Sequence, residues 1–215
     1  MKMEKKEGPA NEYVNFLERI RKRLGEKACS DELVRKRYNA AVLIPLIPRM
    51  GEWRILFEVR SDNVSRHPGQ IGFPGGSIEE GEVAIDAAVR ELEEELGIGR
   101  EDIEILGKLG RVESITGAVV EAYVCSIDGG KEPLPDGNEV REIFEVPLER
   151  ILKEGLKESV MYEHFSLAED FPVGFLPGGR WERSYEIPLY YFIHEKWLIW
   201  GLTARILKCF ADSLV

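Results

Sequence analysis

Residues 76–98 read GSIEEGEVAIDAAVRELEEELGI. From about Val83 the apolar residues recur at helical spacing, and Gly97 is a natural stop, because glycine accepts the left-handed backbone that ends helices. At about 100° per residue, Ile85, Val89, Leu92 and Leu96 form one stripe, which should face a core. Glu91, Glu94 and Glu95 fall in a separate arc, about 100° wide, that also holds the small residues Ala84, Ala87 and Ala88. Like charges at i,i+4 repel by roughly 0.2 to 0.5 kcal/mol per pair. That cost is small on a solvated face. Around a hard cation the cluster becomes useful, because magnesium takes oxygen ligands and bridges carboxylates to substrate phosphates. Small alanines beside such a patch leave room for metal, water and phosphate. The pentapeptide Glu91–Glu95 alone is more often a solvated face than a metal site; the wider pattern has to decide.

Working outward, Asn39 to Ile47 (NAAVLIPLI) is a short apolar run that reads as a buried strand. Trp53 to Val59 reads as its partner across a turn at Met50-Gly51-Glu52. Ser61 to Gly76 is a polar, Gly- and Pro-rich loop. Strands are predicted at Ile103–Val112 and Val119–Ile127, with a turn-rich loop from Gly129 to Asn138. Phe144–Val146 reads as one more short strand and Leu148–Gly155 as a short helix. Tyr185–Ile193 and Trp197–Trp200 carry β-forming residues, and Thr203–Leu214 reads as a closing helix. Strands and helices mixed around one core predict an α/β/α sandwich with a mixed sheet. Upstream, Tyr13, Phe16, Leu17, Ile20 and Leu24 recur at helical spacing before Gly25. The expected organisation is therefore a tail and helix over residues 1–35 and the main domain over residues 36–215, with the helix either packing on that domain or making a dimer contact. Pro172 to Arg180 (PVGFLPGGR) reads as a connecting loop or as a cover for a site.

The 215 residues are 44% hydrophobic and 32% charged, which supports a packed core. A formal net charge of -10 disfavours extended nucleic acid as a partner, since such binding rests on neutralising many phosphates. Divalent ions would still let an acidic protein handle a small anionic substrate. Cys29, Cys125 and Cys209 are odd in number and widely spaced, so neither a disulfide framework nor a zinc site is expected. Residues 1–8 are charged, and no apolar run approaches the ~20 residues that span a bilayer. A soluble cytoplasmic protein without a membrane partner is expected.

The pattern around the helix resembles the signature of the Nudix hydrolase family. That signature reads Gly, five residues, Glu, seven residues, Arg-Glu-hydrophobe-any-Glu-Glu-any-Gly-hydrophobe. Gly76, Glu82, Arg90, Glu91, Leu92, Glu94, Glu95, Gly97 and Ile98 supply every fixed position. The resemblance implies a Mg2+ (or Mn2+) cofactor held by Glu91, Glu94 and Glu95, with the Gly76 carbonyl completing the site. It implies that Arg90 and Glu82 form a supporting ion pair that orients these ligands. It also implies water attack on a pyrophosphate phosphorus. The general base stays open among Glu94, Glu95 and the loop residue Glu139. A homodimer is a family expectation as well.

Leu56 to Gly76 (LFEVRSDNVSRHPGQIGFPGG) is similar to the segment that marks the coenzyme A pyrophosphatase branch of that family. Leu56, Arg60, Ser61, Gly69, Phe73, Pro74, Gly75 and Gly76 match in register, and Ile199 to Leu207 resembles the branch again. The substrate implied is coenzyme A or an acyl-coenzyme A, with Arg60, Arg66 and Gly75 at the substrate. Glu58 stands where the branch has Thr, and Ser65 where it has Arg; Arg66 lies one place later. Tyr123, Phe175, Trp181 and Tyr185 are candidates for stacking on adenine, or for core packing. ADP-ribose or a dinucleotide is the alternative substrate. A non-catalytic nucleotide sensor is the alternative class, disfavoured because every signature glutamate is kept, and an mRNA-decapping role is disfavoured by the acidic balance.

Overall fold

Strand β1 (Tyr38–Arg49) is apolar on both sides because both of its faces are covered. Ala41, Leu43 and Ile47 pack to one side, and Ala40, Ile44 and Leu46 to the other, as the two-residue period of a strand requires. The computed structural model describes residues 38–64, 67–114 and 117–214. β1 turns into the antiparallel strand β2 (Glu52–Arg60) through Met50 and Gly51, both at positive φ (48° and 86°). A two-residue hairpin of that hand matches strand twist.

The remaining strands of this sheet are β3 (Ile71–Gly72), β4 (Gly75–Ser77), β5 (Ile103–Glu113), β6 (Ala118–Ile127) and β7 (Val140–Pro147). Their order is β3-β2-β1-β6-β5, with β4 beside β1 and β7 beside β2. The β1–β6 pair is parallel and the others are antiparallel, so the sheet is mixed.

Helix α1 (Ala84–Leu96) covers one face and ends at Gly97 (φ 66°), whose N–H donates to the Glu93 carbonyl at 2.9 Å. Val89, Leu92 and Leu96 bury against Leu43, Ile47 and Leu56. A short helix α2 (Leu148–Glu154) follows β7. On the opposite face, helix α3 (Gly201–Ser213) contributes Ala204, Leu207 and Phe210 to a core with Ile44, Ile55 and Phe57. The result is the expected α/β/α sandwich.

A second, antiparallel three-stranded sheet runs β8 (Lys157–Ser166), β9 (Glu182–His194) and β10 (Trp197–Trp200) in the order β10-β9-β8. β8 has no counterpart among the elements read from the sequence. Its sequence, KESVMYEHFS, is largely exposed and lacks apolar alternation; backbone pairing with β9 over ten residues forms it. Pro172–Arg180 makes two short 3-10 turns, Val173–Phe175 and Pro177–Gly179. By contacts the chain divides into Met1–Lys36 and Arg37–Val215. Cys29 and the helix expected upstream of Gly25 lie outside the described residues. Among the described residues no helix is long and apolar enough to cross a membrane. Cys125 is buried, which pushes its thiol up to about 12, and Cys209 is exposed; both are free.

Candidate active site

α1 presents its carboxylates in three different environments. Glu94 is largely exposed, Glu91 is mostly covered and Glu95 is buried at 3% exposure. The helical wheel puts all three on one arc with Ala84, Ala87 and Ala88, of which Ala84 is half-buried. In fact Ala87 and Ala88 are fully buried in the core, so they leave no room for a ligand. The carboxylates instead line the seam where the helix meets β4 and β2.

Gly76 explains how Glu91 fits. It pairs with Ala41 of β1, and a Cβ built on it would lie 2.4 Å from the Glu91 carboxyl carbon. The space where a side chain would stand is filled by that carboxyl group. Gly75, at φ 146°, has a Cβ position 2.2 Å from the Ala41 carbonyl oxygen, so it too admits no side chain. Its N–H donates to Glu95 Oε2 at 3.0 Å.

Arg90 gathers the outer groups. Its Nε donates to Glu82 Oε1 at 3.0 Å, and its Nη1 donates to Glu91 Oε1 at 2.9 Å and to Glu94 Oε2 at 3.3 Å. Nη2 reaches Glu82 Oε2 and the Ser77 carbonyl, both at 3.3 Å. The Arg90–Glu82 pair expected from sequence is therefore one edge of a wider network that fixes Glu91. The hydrogen bond from Arg90 lowers the Glu82 pKa, and the Arg90 pKa rises chiefly through the bond to Glu82. Burial raises the Glu91 pKa, and Arg90 opposes that rise.

The residue that sequence reasoning undervalued is Glu58. Leu56, Glu58 and Arg60 alternate along β2 on one face, and Leu56 marks that face as the one under α1. Glu58 is only 1% exposed and sits against Glu95. Glu58 Oε2 and Glu95 Oε1 are buried with no hydrogen-bond partner. Burial is the main cause that raises both pKa values, and the neighbouring carboxylate adds to it for Glu95. Arg60 is the cation beside them. Its Nη1 lies 3.9 Å from Glu58 Oε1 and 4.0 Å from Glu95 Oε1, and its Nη2 lies 3.8 Å from Glu139 Oε2. The two-residue period of β2 was the available signal: it puts Glu58 on the helix-facing side of the sheet.

Glu139 arrives by loop anchoring. The Asp136 and Leu134 N–H groups donate to the Glu95 and Leu96 carbonyls, both at 2.9 Å, and so cap the end of α1. Asp136 accepts the Glu139 and Val140 N–H groups at 3.1 and 2.8 Å. The Ser61 N–H donates to the Glu139 carbonyl at 2.7 Å. The loop is thus tied both to the helix end and to the end of β2, leaving the Glu139 side chain exposed beside Arg60.

The donor set here is all oxygen, and two of its buried oxygens lack donors. Both facts fit a hard divalent cation. Among the described residues no group of three or more His, Cys, Asp or Glu side chains is already arranged to hold a metal ion; Glu91 and Glu94 turn onto Arg90, and Glu139 onto Arg60. Arg66 and Ser65 lie outside the described residues.

A cleft of about 320 Å3 opens from Glu58, Arg60 and Gly75. His67 and Gln70 also line it, and Met161, Ile187, Leu189, Trp200 and Leu202 supply apolar lining. Thr203 Oγ1 donates to the Ile71 carbonyl at 2.9 Å and pins α3 to β3 along this wall. None of Tyr123, Phe175, Trp181 and Tyr185 lines the cleft, and neither does Pro172–Arg180. Phe175 and Tyr185 are exposed, and the Tyr123 hydroxyl donates to Glu121 at 2.9 Å. Another hollow of about 360 Å3, lined by Pro48, Trp53, Glu101, Asp102, Glu104 and Asp128 among others, shares no residue with this cleft.

The model of the NUDIX domain matches residues 37–168. An uncharacterized Nudix hydrolase NudL of Enterobacter sp. (strain 638) is 33% identical over 176 residues, which is 81% of this chain and 82% of that protein. The protein of the same description from Escherichia coli (strain K12) is 32% identical over 171 residues, 79% of each chain. Among solved structures, a MutT/nudix family protein from Enterococcus faecalis aligns with a TM-score of 0.50 at 14% identity, covering 98% of this chain and 76% of that one, a likeness of fold. With the matched domain spanning the helix, its glutamates and the glycine pair beneath them, the chain belongs to the Nudix hydrolase family.

Proposed function

We propose that this chain is a Mg2+- or Mn2+-dependent pyrophosphohydrolase of nucleoside diphosphate derivatives, with coenzyme A or an acyl-coenzyme A as substrate. One observation carries the choice of substrate. The two segments that resemble the coenzyme A branch, Leu56–Gly76 and Ile199–Leu207, lie far apart in sequence, yet both line the same cleft. That cleft is lined both by charged residues, Glu58 and Arg60, and by apolar ones. Its volume is at the lower limit of ligand pockets, roughly 300–1,000 Å3, so it takes the pyrophosphate and one arm of the molecule. The neutral, flexible pantetheine arm suits the apolar lining supplied by Met161, Leu189 and Trp200.

Glu91, Glu94, Glu95 and the Gly76 carbonyl would hold the divalent ion. When bound, such an ion neutralises the two phosphates and readies a water for in-line attack. Arg90, fixed by Glu82, keeps Glu91 in place. Arg60 faces the phosphate oxygens and offers a planar fork to them. Glu139 stands on an anchored loop beside Arg60 and takes the proton of the attacking water. A new oxygen–phosphorus bond forms on one phosphorus and the bond to the bridging oxygen breaks. The products are 3',5'-ADP and 4'-phosphopantetheine.

ADP-ribose or a dinucleotide is the second reading, and Glu58 favours it: a carboxylate lines the cleft where the coenzyme A branch has Thr. The test is a panel of coenzyme A, acetyl-coenzyme A, ADP-ribose, NADH and diadenosine polyphosphates with magnesium or manganese, with products separated by chromatography. Release of 3',5'-ADP from coenzyme A at the highest kcat/KM is expected. A higher value for ADP-ribose discards the coenzyme A reading. Tight binding without turnover of any compound discards the hydrolase reading.

A further inference from the structure

We propose that Glu58 is an added ligand of the divalent cation, joining the signature carboxylates from strand β2. This rests on the metal-dependent reading above and goes beyond it, because Glu58 lies outside the signature.

Three observations carry the proposal. Glu58 is 1% exposed and its Oε2 has no hydrogen-bond partner; the facing oxygen, Glu95 Oε1, is in the same condition. Buried carboxylate oxygens are rarely left without a donor or a cation. Second, Glu58, Glu95 and Glu139 share Arg60 at 3.8 to 4.0 Å. With all three ionised, one guanidinium leaves two negative charges over, which one divalent cation would neutralise. Third, the position of Glu58 is built. Its strand neighbour across the β2–β3 pair is Gly72, where a Cβ would stand 3.4 Å from Glu58 Oε1. The Glu58 carboxyl group lies close over that backbone, directed at the end of α1 and not at solvent. The Glu58 carboxyl group meets the Glu95 carboxyl group and a guanidinium at about the limit of an ion pair, so the two acids need either a shared proton or a cation between them.

The experiment is a Mn2+ titration of the purified full chain followed by electron paramagnetic resonance of free Mn2+, with thermal unfolding in chelator and in Mn2+. The variants are Glu58→Gln, Glu58→Thr (the residue of the branch, and a good strand former) and Glu95→Gln as reference. Circular dichroism establishes that each is folded, and two different replacements at Glu58 guard against failure of one. We expect both Glu58 variants to bind Mn2+ about tenfold or more weakly than wild type and to lose most of the rise in Tm that Mn2+ gives. In chelator, Glu58→Gln should melt above wild type, since it relieves the repulsion between two facing buried carboxyl groups that share one guanidinium. Wild-type Mn2+ affinity in both Glu58 variants, with weakened binding in Glu95→Gln, overturns the role of Glu58 and leaves the metal site standing. Absence of Mn2+ binding by wild type overturns both.

Discussion

Gly76→Ala is the substitution whose outcome the structure specifies most closely. The new Cβ would lie 2.4, 2.5 and 2.6 Å from the carbon and oxygens of the Glu91 carboxyl group, where ordinary contact begins at 3.4 Å. The carboxyl group must retreat by about 1 Å, and a misplacement of that size at a reacting centre costs roughly 100-fold in rate. Gly76 is not at positive φ, so alanine adds no backbone strain there. Overpacking costs about 1–3 kcal/mol, and the lower end applies because a Glu side chain can swing. At about 2–4 °C per kcal/mol for a domain of this size, Tm should fall by only a few degrees. Gly75→Ala is the contrast. Its Cβ would meet the Ala41 carbonyl oxygen at 2.2 Å and the Val42 Cα at 2.7 Å, at a φ of 146°. Backbone cannot swing aside, so β4 must part from β1, and the variant should lose far more stability. The assay is kcat at saturating magnesium and substrate beside thermal melts of both variants. Wild-type turnover in Gly76→Ala would refute the reasoning, because the fit of Glu91 over that glycine would then have no bearing on catalysis.

Further outcomes are expected. Glu139→Gln should lower kcat by roughly 10²- to 10⁴-fold, the usual share of a general base, while Mn2+ affinity and Tm stay near wild type; an unchanged kcat returns the base to Glu94 or Glu95. Glu94→Gln should cut activity yet leave Tm nearly unchanged, since its ion pair with Arg90 is exposed and spaced i,i+4; full activity would remove Glu94 from the metal set. In chelator, stability should depend on pH through Glu58 and Glu95, whose folded pKa values lie above the ordinary 4.5 chiefly through burial. A raised pKa means the folded protein holds the proton more tightly. That contribution is complete below pH 4.5 and is lost as pH rises through the folded values. The Tm of wild type minus that of Glu58→Gln should therefore fall with rising pH, and parallel melting curves would contradict the assignment.

The sequence alone determined the elements whose signals are local. Helix α1 and its stop at Gly97 follow from a 3.6-residue period and one glycine, and β1 and β2 from two apolar runs on either side of a turn at Gly51. The family followed from fixed spacings within one helix and the loop before it, since a helix converts spacing along the chain directly into geometry. β8 was not legible, because its sequence is polar and largely exposed and its partner β9 supplies the hydrogen bonds; pairing of that kind leaves no periodicity behind. A helical wheel also could not tell buried Glu95 from exposed Glu94. That difference comes from β2 and β4, which close over one side of the arc. Tertiary structure alone set Glu58, Arg60, Glu95 and Glu139 side by side. They belong to a strand, a helix and a loop, and how near they come depends on sheet order and on the loop that caps α1. The chemistry of each residue was readable one position at a time, whereas its charge state and partners follow from distances that only the folded chain creates.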